Sequence, residues 1–146
     1  MRQLLLVDGL ASEVQDLVKR AKLESLCLGV SPDPISWISS LLNRRKEEGQ
    51  QIEELHLLAH GSAEGIELGG QKVDHGALLN KAKELSNWQN EKLVVWSCEI
   101  GANQPLIQQL SAYTKAEVFS SQQQINRDNA WLHSDQGQSI HASERY

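Results

Sequence analysis

The chain has 146 residues, 40% of them hydrophobic and 23% charged, with a formal net charge of −5. That length suits one domain with a continuous core, and the acidic balance excludes a global positive field that would draw nucleic acid or an anionic membrane. Two cysteines, Cys27 and Cys98, are too few for a disulfide framework, and no Cys/His spacing reads as a structural zinc site.

Near the start, Leu4-Leu5-Leu6-Val7 is an unbroken apolar run closed by Asp8-Gly9, the pattern of a strand buried on both faces. The same break makes the run too short for a signal peptide, and no apolar run approaches a membrane span, so the chain reads as cytoplasmic unless a signal outside these residues exports it. Ser12 then caps a helix with Gln15 completing a capping box, and Val14, Leu17, Val18 and Ala21 form its apolar face. A second strand is expected over residues 26–30. Asp33 is the expected N-cap of the next helix, Pro34 its first residue, Ile35, Ile38, Leu41 and Leu42 its buried stripe, and Gly49 its stop. Arg44-Arg45-Lys46, followed at once by Glu47-Glu48, is read as a solvated helix end.

The third strand, residues 55–59, ends in His60-Gly61. Ile66-Glu67-Leu68 and Gln71-Lys72-Val73 flank Gly69-Gly70 as a small hairpin. Asp74 caps a helix carrying Leu78, Leu79, Ala82 and Leu85. Leu93-Val94-Val95-Trp96 is the most hydrophobic strand and runs into Ser97-Cys98. Asn103 caps a fourth helix with Pro105 in its first turn. Glu117-Val118-Phe119 is a fifth strand and Ala130-Trp131-Leu132 a sixth. The expected fold is therefore α/β: a three-layer α/β/α sandwich with a mainly parallel sheet of about six strands plus a small hairpin. One domain is expected over residues 1–135, with a mobile tail over 136–146.

Sheets of this kind do their chemistry beyond the carboxyl ends of their strands. The residues there are Asp8-Gly9, Ser31 to Asp33, His60-Gly61-Ser62, Ser97-Cys98-Glu99 and Ser120-Ser121. One imidazole and one thiol stand out among them. An adjacent imidazole favours the nucleophilic thiolate and can protonate a leaving amine. The N–H groups of Gly61 and Cys98 could then form an oxyanion hole. His56 points to the same strand face as Leu58 and is read as packing. Cys27 is read as core, Trp37, Trp88 and Trp96 as packing anchors, and His75, His133 and His141 as surface residues.

An apolar strand ending in His60-Gly61, followed by an apolar strand running into Cys98, resembles the caspase-like cysteine peptidases. The chain is more similar still to an uncharacterised caspase-like domain near the N-termini of large cyanobacterial and proteobacterial surface proteins with cadherin-like or calcium-binding repeats. That likeness runs through Val7-Asp8, residues 55–61, 66–70, 96–98 and 106–121, and Trp131-Leu132. It implies His60 and Cys98 as the catalytic pair. By their place after the strands, Asp8, Ser62, Ser97, Glu99, Ser120 and Ser121 are expected to line a substrate cleft. A peptide or protein is the expected substrate or partner, and no metal or cofactor is expected. The chain departs from the pattern at Gln122-Gln123-Gln124 and in its shortness, so a catalytically silent binding or processing module of a larger protein stays open beside the peptidase. A receiver domain lacks its acidic pair here. Trp96-Ser97-Cys98-Glu99-Ile100-Gly101 is no nucleophile elbow, and no glycine loop precedes a helix as phosphate binding requires.

Overall fold

The computed structural model describes residues 2–9, 24–62, 64–96 and 104–120. In chain order they form β1 (Gln3–Asp8), β2 (Glu24–Leu28), α1 (Pro34–Glu47), β3 (Glu54–Leu58), β4 (Gly61–Ser62), β5 (Gly65–Leu68), β6 (Gln71–Val73), α2 (His75–Asn80), α3 (Ala82–Leu85), β7 (Lys92–Trp96), α4 (Gln104–Thr114) and β8 (Glu117–Ser120). Five strands make an all-parallel sheet in the order β2-β1-β3-β7-β8, and β4-β5-β6 make a small antiparallel sheet. The α/β class and the parallel sheet expected from the sequence are therefore what the chain forms.

Strand residues alternate between faces. Leu4, Leu6, Leu28, Leu55, Leu57, Leu93 and Val95 share one face and join Ile35, Ile38, Leu42, Leu85, Leu106 and Leu110 from the helices in one buried cluster. Each such side chain removed from water contributes about 1.5–3 kcal/mol. The opposite face carries Leu5, His56, Leu58, Val94 and Trp96, all of them buried as well. Burial on both faces explains why these strands read as apolar runs rather than as alternations.

The ends of α1 follow the local signals. Asp33 accepts from the Ser36 N–H at 3.2 Å, Pro34 opens the helix, and Gly49 leaves it at φ +74°. Asp74 caps α2 by accepting from the Ala77 N–H at 3.0 Å. Gly69 and Gly70 both have positive φ (60° and 86°), as a two-residue turn matched to the twist of its strands requires.

Several expectations need correction. The second strand runs over Glu24–Leu28 rather than 26–30, because β1 offers its last pairing, Asp8 with Leu28, at that point. Polar Glu24 and Ser25 still pair through their backbones. The helix after Asp74 breaks at Lys81, so its apolar spacing does not carry through and Leu79 is 58% exposed. Cys27 is exposed, since β2 has a neighbour on one side only among the described strands. Trp37 lies off the buried stripe of α1 and is 40% exposed, whereas Trp88 and Trp96 are buried anchors as expected. Arg45 is not simply solvated: it holds Glu24 with two contacts, at 2.9 and 2.5 Å. The hairpin gains a third strand, β4, directly after His60. The expected helix from Ser12, the Asn103 cap, the strand at residues 130–132, the tail at 136–146, and His133 and His141 lie outside the described residues.

Candidate active site at the carboxyl ends of β3 and β7

β3 and β7 are hydrogen-bonded neighbours, paired from Glu54 with Lys92 to Leu58 with Trp96. The ladder continues past the last pair, as the Ala59 N–H donates to the Trp96 carbonyl at 3.2 Å. Every pair is separated by 38 residues in sequence, the separation that also divides His60 from Cys98. His60 follows this ladder directly and is half-buried. Cys98, together with Ser97, Glu99 and Ser121, lies outside the described residues.

The backbone after His60 has a defined polarity. The Glu67 N–H donates to the His60 carbonyl at 2.8 Å, and Gly61 is opposite Ile66 in the next, non-hydrogen-bonded position of the β4–β5 pair. In an antiparallel pair such a residue turns its N–H and C=O away from the partner strand. The Gly61 N–H thus faces away from β5, on the side of β4 that has no strand neighbour among the described residues. Ser62 is half-buried, and its hydroxyl accepts from the Glu64 N–H at 3.1 Å.

Asp8, at the end of β1, has a different setting. It is 1% exposed, and its Oδ1 accepts from the Gly69 N–H at 3.2 Å, while Oδ2 is buried without a hydrogen bond. The Gly69 carbonyl in turn accepts from the Ser31 N–H at 2.9 Å. The hairpin turn therefore sits on the crevice where the strand order reverses, between β1 and its neighbours. Ser120 ends β8 opposite Val95, is buried, and so faces the helix-covered side of the sheet.

The sequence reading took His56 for packing and missed its polar partners. The buried Trp96 Nε1–H donates to His56 Nδ1 at 3.1 Å, with the rings stacked 6.5 Å apart. His56 Nε2 faces Glu54 Oε2 at 3.5 Å, and Gln3 Nε2 donates to that same oxygen. Alternation places Glu54, His56, Val94 and Trp96 on one face, and this was the available signal. The register that aligns His56 diagonally with Trp96 was not legible without the strand order.

Elsewhere, a cavity of ≈ 290 Å³ lies beside the start of α1, lined by Pro32, Pro34, Ile35, Ala77, Asn80 and Lys81 among others. Among the described residues, no group of three or more His, Cys, Asp or Glu gathers where a metal could bind, and no helix is long and apolar enough to cross a membrane.

These features define an α/β protein with a five-stranded parallel sheet whose third strand delivers a histidine and an outward-facing glycine N–H to its carboxyl edge. The chain belongs to the family described as "Domain of unknown function (DUF4347)", whose model matches residues 4–143. No curated protein matches the chain, and no solved structure matches it.

Proposed function

We propose that the domain is a caspase-like cysteine peptidase in which Cys98 is the nucleophile and His60 its general acid and base. The observation that carries this reading is the pairing of β3 with β7 at a constant offset of 38 residues, the offset between His60 and Cys98. Neighbouring parallel strands are about 4.8 Å apart, so side chains leaving two such strands at one level are within reach of each other. The outward-facing Gly61 N–H adds a donor of the kind that an oxyanion needs.

In the proposed reaction, the proton of the Cys98 thiol passes to the His60 imidazole. The thiolate then forms a bond to the carbonyl carbon of the scissile peptide, and the developing oxyanion takes hydrogen bonds from the N–H groups of Gly61 and Cys98. The C–N bond breaks as His60 returns the proton to the leaving amine. Water attacks the resulting thioester with His60 as base, which releases the carboxylic acid and restores the thiol. The substrate is a peptide or protein, with Ser62, Ser97, Glu99 and Ser121 flanking the pair.

The test incubates the wild-type chain and Cys98→Ala with a mixed peptide library, with and without calcium. Cleavage by the wild type alone is expected, with Cys98→Ala folded but inactive. Equal silence from both would overturn the peptidase and favour a silent binding module. Native iodoacetamide labelling supplies a second check. The exposure of Cys27 makes some labelling there expected, so the comparison rests on Cys98 losing reactivity in His60→Ala.

A further inference from the structure

We propose that the cavity beside the start of α1 is a peptide-binding pocket that takes an apolar side chain from an uncharged, extended segment. This deepens the reading above, resting on its peptide ligand and not on His60 or Cys98. The floor of the ≈ 290 Å³ cavity is apolar: Pro34 and Ile35 are buried, Ala77 is half-buried, and Pro32 is exposed beside them. That volume is the share of on the order of ten water molecules, room for one aliphatic side chain and its adjoining peptide groups. The two charged groups on the wall are spent on each other. Lys81 Nζ donates to Asp33 Oδ2 at 2.5 Å and to the Ser36 hydroxyl at 3.4 Å, and the other Asp33 oxygen caps α1 at the Ser36 N–H. A pair closed in this way draws neither a cation nor an anion by net charge.

What the wall leaves unspent is neutral. Gln71 and Asn80 line the cavity from exposed positions, and neither side-chain amide bonds to another group among the described residues. Each amide offers a donor and an acceptor, the two groups that a peptide bond itself presents. Gln71 also opens β6, and the residue after it shows main chain to a ligand. Lys72 is opposite Glu67, whose N–H is turned to the His60 carbonyl. Lys72 therefore points its own N–H and C=O away from β5, on the side of β6 that has no strand neighbour among the described residues. An extended peptide pairs with such an edge and sends alternate side chains into a pocket beside it. A sugar would gain from the amides but not from the strand edge. Apolar surface continues past the cavity as well. Of the three large hydrophobic residues exposed among the described ones, Val30 (79%) lies two positions before Pro32, and Trp37 (40%) follows Asp33 by one helical turn. One such side chain would need no explanation, but two beside one apolar cavity extend the surface that a peptide covers.

The experiment titrates the isotope-labelled full chain with capped pentapeptides that carry leucine, alanine, aspartate or lysine at the centre and serine or glycine elsewhere, and reads backbone amide shifts by NMR. The leucine peptide is expected to shift Lys72, Ala77 and Asn80 saturably, and the alanine peptide to bind about tenfold more weakly for want of the apolar contact. The aspartate and lysine peptides should bind more weakly still. Ala77→Leu fills the cavity from a helical position and should abolish the preference for leucine. Asn80→Ala and Gln71→Ala, at exposed positions, should each weaken binding several-fold. The proposal is overturned by the absence of saturable shifts at those three residues, by equal affinities for the leucine and alanine peptides, or by preference for a charged peptide. If Ala77→Leu does not fold, the two amide variants decide, and unchanged affinity in both overturns it. Peptide signals in the same samples report cleavage, which separates this pocket from the dyad. Binding without cleavage supports the pocket whatever becomes of His60 and Cys98, whereas cleavage without shifts at the pocket sinks the pocket alone.

Discussion

β1 and β3 are neighbours in one parallel sheet, each ends in a polar residue, and the two ends have opposite fates. Asp8 is sealed beneath the turn of the hairpin, with one carboxylate oxygen on the Gly69 N–H. His60 stays half-buried, and the residue after it turns its N–H outward. Asp8 is level with Ala59, so His60 lies one residue further along and on the opposite face, and the insertion adds a second difference. The chain leaves His60 through β4, doubles back through β5, and lays the β5–β6 turn across β1 and the loop after β2. The β1 end is thus sealed within the fold, whereas the β3 end keeps partial exposure at the carboxyl edge of the sheet.

The largest effect that would break this contrast is expected at the turn. Gly69 has φ +60°, and an added Cβ would come within 3.0 Å of the Ser31 nitrogen and 3.1 Å of the Gly29 carbonyl oxygen. Both are backbone atoms that cannot swing aside. Gly69→Ala should therefore cost about 2–3 kcal/mol, combining backbone strain with a forced shift of the docked loop. Urea unfolding measures it. A loss below about 0.5 kcal/mol would mean that the turn does not rest on the sheet as described.

Next in size is Asp8 itself. Asp8→Ala leaves the Gly69 N–H buried without its acceptor and should cost about 1–2 kcal/mol. Asp8→Asn keeps an acceptor for Gly69 and places an uncharged group where the buried Oδ2 has no hydrogen bond, so it should be close to neutral or mildly stabilising. A large loss for Asp8→Asn would show that the negative charge is needed, and would return Asp8 to the list of working site residues.

His60→Ala sharpens the other half of the comparison. A half-buried residue at a strand end contributes little to the core, so its removal should change stability by no more than about 1 kcal/mol, less than Asp8→Ala. A cost equal to that of Asp8→Ala would make the two strand ends alike and remove the reason for treating one as a site.

Much of this architecture was legible because its signals are local. The caps at Asp33 and Asp74, the helical stop at Gly49 and the Gly69-Gly70 turn each depend on a few adjacent residues, and each forms where the sequence puts it. The apolar runs of β1, β3 and β7 told that they would be buried on both faces. What escaped was set by partners distant in sequence. Cys27 looks like core until β2 proves to be an edge. His56 packs as its strand face suggests, but its hydrogen bond with Trp96 needs β7 alongside, and the burial of Asp8 needs a turn 61 residues later. Leu79 misled for a different reason, because the break at Lys81 interrupts the helical period that would have buried it.

The smallest expected effect lies at the start of α1, beside the loop on which the hairpin rests. Lys81 Nζ reaches Asp33 Oδ2 at 2.5 Å, while the Asp33 Oδ1 caps the helix at Ser36. The Lys81 hydrogen bond, aided by the Ser36 contacts, holds the Asp33 carboxyl below its usual range, and the same bond raises the pKa of Lys81. The signs then fix the pH window. A carboxyl with a depressed folded pKa contributes stability that is present above its unfolded pKa of about 3.9 and is lost as pH falls through the lower, folded value. A lysine with a raised folded pKa contributes stability that is complete below its unfolded pKa of about 10.4 and is lost as pH rises through the folded value. Both groups are about one-third exposed, so water and salt weaken the pair and its contribution should fall below the effects of Gly69→Ala, Asp8→Ala and His60→Ala. Thermal unfolding from pH 2 to pH 5 in low salt should show a steeper acid loss for the wild-type chain than for Lys81→Met, which removes the partner but keeps the Asp33 cap. Asp33→Asn, which retains a capping oxygen but no charge, should flatten the profile further. Identical acid limbs for all three would mean that Asp33 acts at this corner as a cap alone, and that the lysine at the α2–α3 break adds nothing to holding the loop beneath the hairpin.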